Sequence, residues 1–312
     1  MRIVFMGTPD FALPALEALI ASHDVCLVVT QPDKPSGRKK KLSPPPVKEM
    51  AEAAGIEVLQ SASARTPEFL AAMQETKADV AVVVAYGKIL PLSVLEAFPH
   101  GCINIHGSLL PKYRGAAPIQ WAVIDGEKQT GISIMRLDEG MDTGPVLLRR
   151  TEPIFEDDTA GSLFERLAPL GASAILEALQ GVEAGTLVAK PQAEEGASHA
   201  AMLKKQDGLV DWTLDAEVLA CRMRGLDPWP GAFTPIAGGN LKLFAAKVCE
   251  GEGEPGAVLS YDNDGMVIAC GTGAVRIAEV QAPGKTRMAA AAFARGKRLE
   301  TGTLLSPAEP QV

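Results

Sequence analysis

Asn104 and His106 stand two positions apart at the end of an apolar run, and Asp142 follows in the stretch Asp138-Glu-Gly-Met-Asp-Thr-Gly144. In extended chain, alternate side chains share a face, so an amide and an imidazole converge on one spot while Ile105 points away. A carboxylate from a glycine-containing loop can reach a ring nitrogen and set the tautomer and charge of the histidine. Together these groups suit acyl transfer, in which an oxyanion is stabilised and a proton moved. Taken singly, Asn and Asp also end strands and form turns by bonding their own backbone. Their presence together, in this order, points to a site.

Such a site needs a scaffold, and the first 150 or so residues alternate short apolar runs with helix-like segments. That is the pattern of an α/β domain with a Rossmann-like, mostly parallel sheet covered by helices. Strands are expected at 2–6, 25–30, 79–85, 102–105 and 131–136, and helices at 11–21, 47–54, 67–75, 92–97 and 116–125. In these sheets ligands bind beyond the carboxyl ends of the strands, where Asn104 and His106 fall. Gly7 follows the first strand but lacks the second and third glycines of a dinucleotide fingerprint, and no phosphate-binding loop with Lys-Ser or Lys-Thr occurs. Nicotinamide binding and an ATP-driven reaction are therefore disfavoured.

A helix over 159–179 closes a first domain at 1–180, 181–205 reads as a linker, and 206–312 forms a second domain. After a helix at 216–225, strands are expected at 232–236, 241–248, 256–260, 265–269 and 274–280. Five short strands suggest a small β-barrel of the oligonucleotide-binding type; a β-domain that only braces the first is the alternative.

The composition fits this division. At 312 residues the chain exceeds the usual single domain, and 47% hydrophobic with 22% charged residues is ordinary for a globular protein. No segment approaches the roughly 20 apolar residues that span a bilayer, and the N-terminal apolar run is of strand length, so a cytoplasmic location is expected. The five cysteines are widely spaced without a Cys-x-x-Cys pair, which argues against a disulfide framework or a zinc site. Cys102 lies close enough to Asn104 to be weighed as a nucleophile, although a thiol in a buried strand is usually inert. The net charge of −8 argues against a protein coated with nucleic acid, yet residues 34–48 hold six basic side chains and no acidic one. A second acid-free stretch, 281–299, holds Lys285, Arg287, Arg295, Lys297 and Arg298. Local patches of this kind can bind phosphate on an acidic protein. The glycine and prolines of 34–48 are expected to keep that segment out of helix and strand.

Gly7-Thr-Pro-Asp-Phe-Ala12, Gln31-Pro-Asp-Lys34, Asn104-Ile-His-Gly-Ser-Leu-Leu-Pro111, Tyr113-Arg-Gly-Ala-Ala-Pro-Ile-Gln-Trp121 and Asp138–Gly144 resemble the 10-formyltetrahydrofolate-dependent formyltransferases, in particular the methionyl-tRNA formyltransferase family. The likeness continues through Pro228-Trp-Pro230 and covers essentially the whole chain. It implies that Asn104, His106 and Asp142 are catalytic. It also implies that Ser108, Leu109, Leu110 and Pro111, with Asp138 and Gly140 in the facing loop, bind the folate. The donor would be 10-formyltetrahydrofolate, acting as co-substrate without a metal, and the acceptor initiator methionyl-tRNA, held by a monomer. Lys34, Arg38, Lys39, Lys40, Lys41 and Lys48 would contact the RNA, and Arg114 would be a partner for a carboxylate or phosphate. The Asn-x-His and Asp-x-Gly elements also occur in glycinamide ribonucleotide transformylase, which would share the trio without needing the β-domain. A non-catalytic RNA-binding protein is a further alternative, but it would have no use for all three residues.

Overall fold

The computed structural model describes residues 1–36 and 41–305. The chain forms two compact units. The first is built from Met1–Pro118, Gln129–Pro153 and Phe164–Ala200; the second takes Ile119–Lys128, Ile154–Leu163 and the chain from Ala201 onward.

In the first unit the strands are β1 (Arg2–Gly7), β2 (Asp24–Thr30), β3 (Lys34–Ser36), β4 (Lys41–Ser43), β5 (Val58–Gln60), β6 (Val80–Val84), β7 (Cys102–His106), β8 (Arg114–Gly115), β9 (Gln129–Arg136), β10 (Val146–Pro153) and β11 (His199–Ala200). Seven form one sheet in the order β10-β9-β7-β6-β1-β2-β5. The run from β7 to β5 is parallel, whereas β9 and β10 are added antiparallel at one edge. The mostly parallel sheet expected from the sequence is therefore present. The strand order reverses between β1 and β6, where α/β sheets open a crevice.

β5 and β10 were not legible as strands. β10 reads Val-Leu-Leu-Arg-Arg-Thr-Glu-Pro and alternates partly buried with exposed positions after its first two residues, as an edge strand does. Its polar outward positions dilute the apolar signal. β5 has three residues at the opposite edge, too few to set up a pattern.

Alternation along the parallel strands builds the core. Val4 and Met6, Leu27 and Val29, and Ala81 and Val83 form one buried face, packed against Phe69, Met73 and Val94. Burying each of the larger of these stabilises the fold by about 1.5–3 kcal/mol. The helices of this unit include α1 (Leu13–Ser22), α2 (Pro46–Ala53), α3 (Pro67–Glu75) and α4 (Leu92–Leu95), whereas nearly all of α5 (Pro118–Ile124) and the first turn of α6 (Ala160–Glu183) belong to the second. α3 starts where the sequence says it must: Thr66 Oγ1 accepts the Phe69 N–H at 3.2 Å, and Pro67 opens the helix where its missing donor costs nothing.

β3 and β4 correct one expectation. Lys34–Ser36 and Lys41–Ser43 do enter regular structure, as the two strands of an antiparallel hairpin with Lys34 opposite Ser43 and Ser36 opposite Lys41. Among the described residues each strand pairs only with the other, which makes room for Pro35 without a ladder donor.

The second unit contains α7 (Ala216–Gly225) and the strands β12 (Phe233–Ile236), β13 (Gly239–Cys249), β14 (Val258–Asp262), β15 (Gly265–Ala269), β16 (Ala274–Gln281) and β17 (Met288–Ala289). They pair antiparallel in the order β12-β13-β16-β15-β14, with β17 also on β16. The second acid-free stretch becomes the end of β16, then β17 and α8 (Ala290–Lys297). Within it Arg287 lies 3.6 Å from the centre of the Phe244 ring and pairs with Asp227 and Glu279, so this cation also braces its own domain. Among the described residues no helix is long and apolar enough to cross a membrane.

Behind β7, α6 approaches closely at Gly171, where a Cβ would meet Ile105 Cγ2 at 3.0 Å. Ile105 separates Asn104 from His106, so crowding there moves both. Gly171→Leu is expected to lower stability by about 1–3 kcal/mol through overpacking, against about 1 kcal/mol of regained helix propensity. The check is the midpoint of urea unfolding, and an unchanged or raised midpoint would refute the close-packing argument.

Candidate active site

β7 delivers the first two groups. Asn104 pairs across the sheet with Val83 and Met135, and His106 lies opposite Ser133. The strand runs through His106, one residue beyond the expected end, so both side chains share a face of regular backbone. Asn104 is 8% and His106 5% exposed. Among the described residues the Asn104 amide engages no hydrogen-bond partner, which leaves a buried donor available.

The loop after β9 delivers the third. It begins with Leu137 N–H on Cys102 O at 2.8 Å and brings Asp142 Oδ2 to 3.6 Å from His106 Nδ1, spanning β7 from its first residue to its last. The same Oδ2 accepts the Gly115 N–H at 2.8 Å. On the other side of the ring, His106 Nε2 donates to Tyr113 O at 2.9 Å, because a carbonyl can only accept. That bond assigns the Nε2-protonated tautomer and leaves Nδ1 to face Asp142. With an acceptor at each nitrogen, the pocket can also hold the doubly protonated ring.

Two residues of this arrangement have left-handed backbone: Tyr113 at φ +62° and Asp142 at φ +54°. The conformation is uncommon for non-glycine residues and costs about 1–3 kcal/mol where sparsely populated, so it persists only under firm support. Ser198 Oγ accepts the Tyr113 N–H at 2.9 Å. Gln192 Nε2 donates to Asp142 O at 2.7 Å and Gly144 O at 2.8 Å, and Gln192 Oε1 accepts from Arg114 Nε at 3.1 Å. Since Arg114 is the neighbour of Gly115, a closed ring results: Asp142 side chain to Gly115, Arg114 to Gln192, and Gln192 back to Asp142. Arg114, considered as an anion partner, has its guanidinium turned to Gln192 and, at 3.5 Å, to Glu194.

Gln192 and Ser198 were not singled out from the sequence. They lie in the segment read as a linker, which has no periodicity to mark it. In the structure it pairs Lys190 with Val146 and then β11 with β8, inside the first unit.

The residues expected around a folate divide into framework and surface. Ser108 is fully buried: its Oγ donates to Lys112 O, and its carbonyl accepts from Ser133 Oγ. Leu110 packs with Met135 and Val146, and its N–H is held by Ser133. Leu109 and Pro111 are partly exposed. In the facing loop, Asp138 Oδ1 accepts from Gly140 N–H and Thr143 Oγ1, so it shapes its own turn. Gly140 is needed there, because a Cβ would come within 2.0 Å of Thr143 Oγ1.

Of the expected RNA contacts, Lys34 Nζ lies 2.6 Å from Gln31 Oε1, and Lys48 Nζ is bound to Asp33 and Gln60. Arg38, Lys39 and Lys40 lie outside the described residues, as does the side chain of Lys41. The Cys102 thiol is pushed up to about 12 by burial and points to Val94 O, which removes it as a nucleophile. Among the described residues no three His, Cys, Asp or Glu side chains gather as a metal site would require.

With this geometry in hand, known proteins are informative. The formyl transferase family model matches residues 1–179, and the formyl transferase C-terminal domain model matches 202–298. A methionyl-tRNA formyltransferase from Desulfotalea psychrophila is 51% identical over 98% of this chain and 95% of its own. In fold, an N-formyltransferase from Helicobacter canadensis, solved with folinic acid and dTDP-3-aminofucose, superposes with TM-score 0.69 at 18% identity over 90% of this chain and all of its own. Glycinamide ribonucleotide transformylase 1 from Symbiobacterium toebii reaches TM-score 0.51 at 24% identity, over 62% of this chain and 94% of its own.

The ring through Gln192 makes a local prediction. Gln192→Ala frees two carbonyls and is expected to speed amide hydrogen exchange at Gly115 by on the order of tenfold, as one or two bonds of about 1 kcal/mol are lost. Unchanged protection at Tyr113–Gly115 and across 137–144 would show that Gln192 does not hold the loop.

Proposed function

Because the chain belongs to the methionyl-tRNA formyltransferase family, we propose that it transfers the formyl group of 10-formyltetrahydrofolate to the α-amine of methionine on initiator methionyl-tRNA, for the start of translation. The observation that carries the chemistry is a buried, unengaged Asn104 amide beside an imidazole whose Nδ1 faces a fixed carboxylate. The acceptor is supported by kinship that runs nearly the whole chain, through the antiparallel second unit, and by the cationic hairpin.

The neutral amine attacks the formyl carbon, and the carbonyl electrons move to oxygen as the new C–N bond forms. Asn104 donates to that oxyanion, and protonated His106 beside it adds the attraction of its positive charge. Collapse restores the carbonyl and breaks the bond to the folate nitrogen. The proton given up by the amine passes by way of Asp142 and water to that nitrogen, giving formylmethionyl-tRNA and tetrahydrofolate. The scheme needs neither a metal nor a covalent enzyme intermediate. Folate is held between the 108–111 turn, where Leu109 and Pro111 present the surface and Ser108 and Leu110 the framework, and the loop shaped by Asp138 and Gly140. Lys34, Arg38, Lys39, Lys40 and Lys41 take the RNA backbone. One chain suffices for one tRNA, and the reaction belongs in the cytoplasm, with the ribosome.

Supplying formyl-folate with either charged initiator tRNA or glycinamide ribonucleotide tests the acceptor. Formylation only of the tRNA is expected; product only with the nucleotide would overturn the assignment, and none with either would favour a binding module. Asn104→Ala and His106→Ala are each expected to lower kcat about 10²–10³-fold, the usual effect of losing one oxyanion-stabilising group. Affinity for tRNA, measured by filter binding, should barely change; a large loss in Asn104→Ala would contradict the division between catalytic and RNA-binding residues.

A further inference from the structure

Lys48 sits in the first turns of α2, at the far end of the basic segment, and is 20% exposed. An ammonium has three donors. Here its nitrogen lies 3.1 and 3.2 Å from the two Asp33 oxygens and 2.9 Å from Gln60 Oε1, which accounts for all three. Gln60, the last residue of β5, gives its amide to Gln31 O at 2.9 Å and to Asp33 Oδ1 at 2.7 Å. Gln31 in turn donates to Tyr86 O at 2.8 Å and accepts from Lys34 Nζ. The chain after β6 accommodates this contact only as glycine: a Cβ on Gly87, at φ +75°, would come within 2.5 Å of Gln31 Nε2. The cluster thus joins both ends of the cationic hairpin to β5 and to the turn after β6.

An exposed ion pair is worth little, but this one is cross-linked by two neutral amides. Lys48 is also a poor phosphate ligand where it stands. An incoming phosphate would have to displace Asp33 and would then face its carboxylate at contact distance, with no net positive charge to gain. We propose that Gln31, Asp33, Lys48 and Gln60 form a clamp that fixes the direction in which the cationic hairpin leaves the sheet, and that Lys48 serves RNA affinity as a positioning residue, not as a phosphate contact. This rests on the reading of the hairpin as an RNA-binding element.

The two roles predict opposite signs. Uncharged initiator tRNA is titrated against wild type, Asp33→Asn and Lys48→Met at several salt concentrations, with formylation kinetics and thermal melting alongside. If the clamp is correct, Asp33→Asn binds tRNA more weakly, on the order of fivefold, even though a negative charge has been removed. Lys48→Met weakens binding similarly while the slope of log K against log salt stays that of wild type, and both losses fall on KM for tRNA rather than on kcat. A phosphate contact would instead make Asp33→Asn bind more tightly and reduce the Lys48→Met slope by about 0.7–0.9. Either of those results overturns the clamp. Should either variant melt much earlier than wild type, Asp33→Glu and Lys48→Arg, which keep the charges, must restore affinity, and failure to do so also overturns it. Wild type that binds no tRNA would remove the underlying reading, and the clamp with it; wild type that binds while Asp33→Asn binds more tightly removes the clamp alone.

Discussion

The Asp142 carboxylate is the point on which the site depends. One oxygen is fixed by the Gly115 N–H and faces His106 Nδ1, while the ring is held from the other side by Tyr113 O. A carboxylate free to rotate would pay side-chain entropy each time it met the imidazole; one already bound to backbone does not. Holding it there requires left-handed backbone at Asp142, and aiming the Tyr113 carbonyl requires it again. Asp tolerates that region better than most residues, whereas Tyr does not, which is why the Tyr113 amide is tied to Ser198 and its ring buried. The strain is local, and the bonds that offset it come from a segment 85 positions from Tyr113 and 50 from Asp142.

The sheet makes this possible by ending parallel and continuing antiparallel. β9 pairs with β7 so that the chain leaves it beside Cys102; the loop reaches Asp142 out to His106 and then returns to begin β10 opposite Met135. Gly144 closes the loop where a Cβ would lie 1.9 Å from Arg136 O, so the return to β10 admits no side chain. The reversed edge therefore fixes both ends of the loop, and the reach of the loop between them sets where Asp142 stands.

The sequence makes some of this plain and hides the rest for physical reasons. Parallel strands buried on both faces, such as Val80–Val84, read as unbroken apolar runs and are easily found. Asn104 and His106 were legible because period-two alternation carries across a strand. Gln192 and Ser198 were not, since a residue that bonds backbone carbonyls and amides from an irregular segment leaves no periodic trace. Lys48 shows the reverse failure: a charge run gives the sign of a side chain but not its partner, and Asp33 lies just outside the run that drew attention. The hairpin was missed because Pro35 and Gly37 argue against strands in a wide sheet and say little about a ladder of two.

The loop that carries Asp142 and the cationic hairpin are held by the same device, a glutamine amide. Gln192 gives its N–H groups to the carbonyls of Asp142 and Gly144 and accepts from Arg114; Gln60 gives its own to Gln31 O and Asp33 and accepts from Lys48; Gln31 donates to Tyr86 O and accepts from Lys34. Each bridges a cation to acceptors that a cation alone could not also satisfy. Glutamate in these places would repel the carbonyls and, at residue 192, add a second negative charge near Asp142; lysine would offer no acceptor to the neighbouring cation. The amide does both while staying neutral, so it fixes geometry without altering the potential around the Asp142 carboxylate or the hairpin cations. Uncharged side chains thus supply the rigidity at two places crowded with charge.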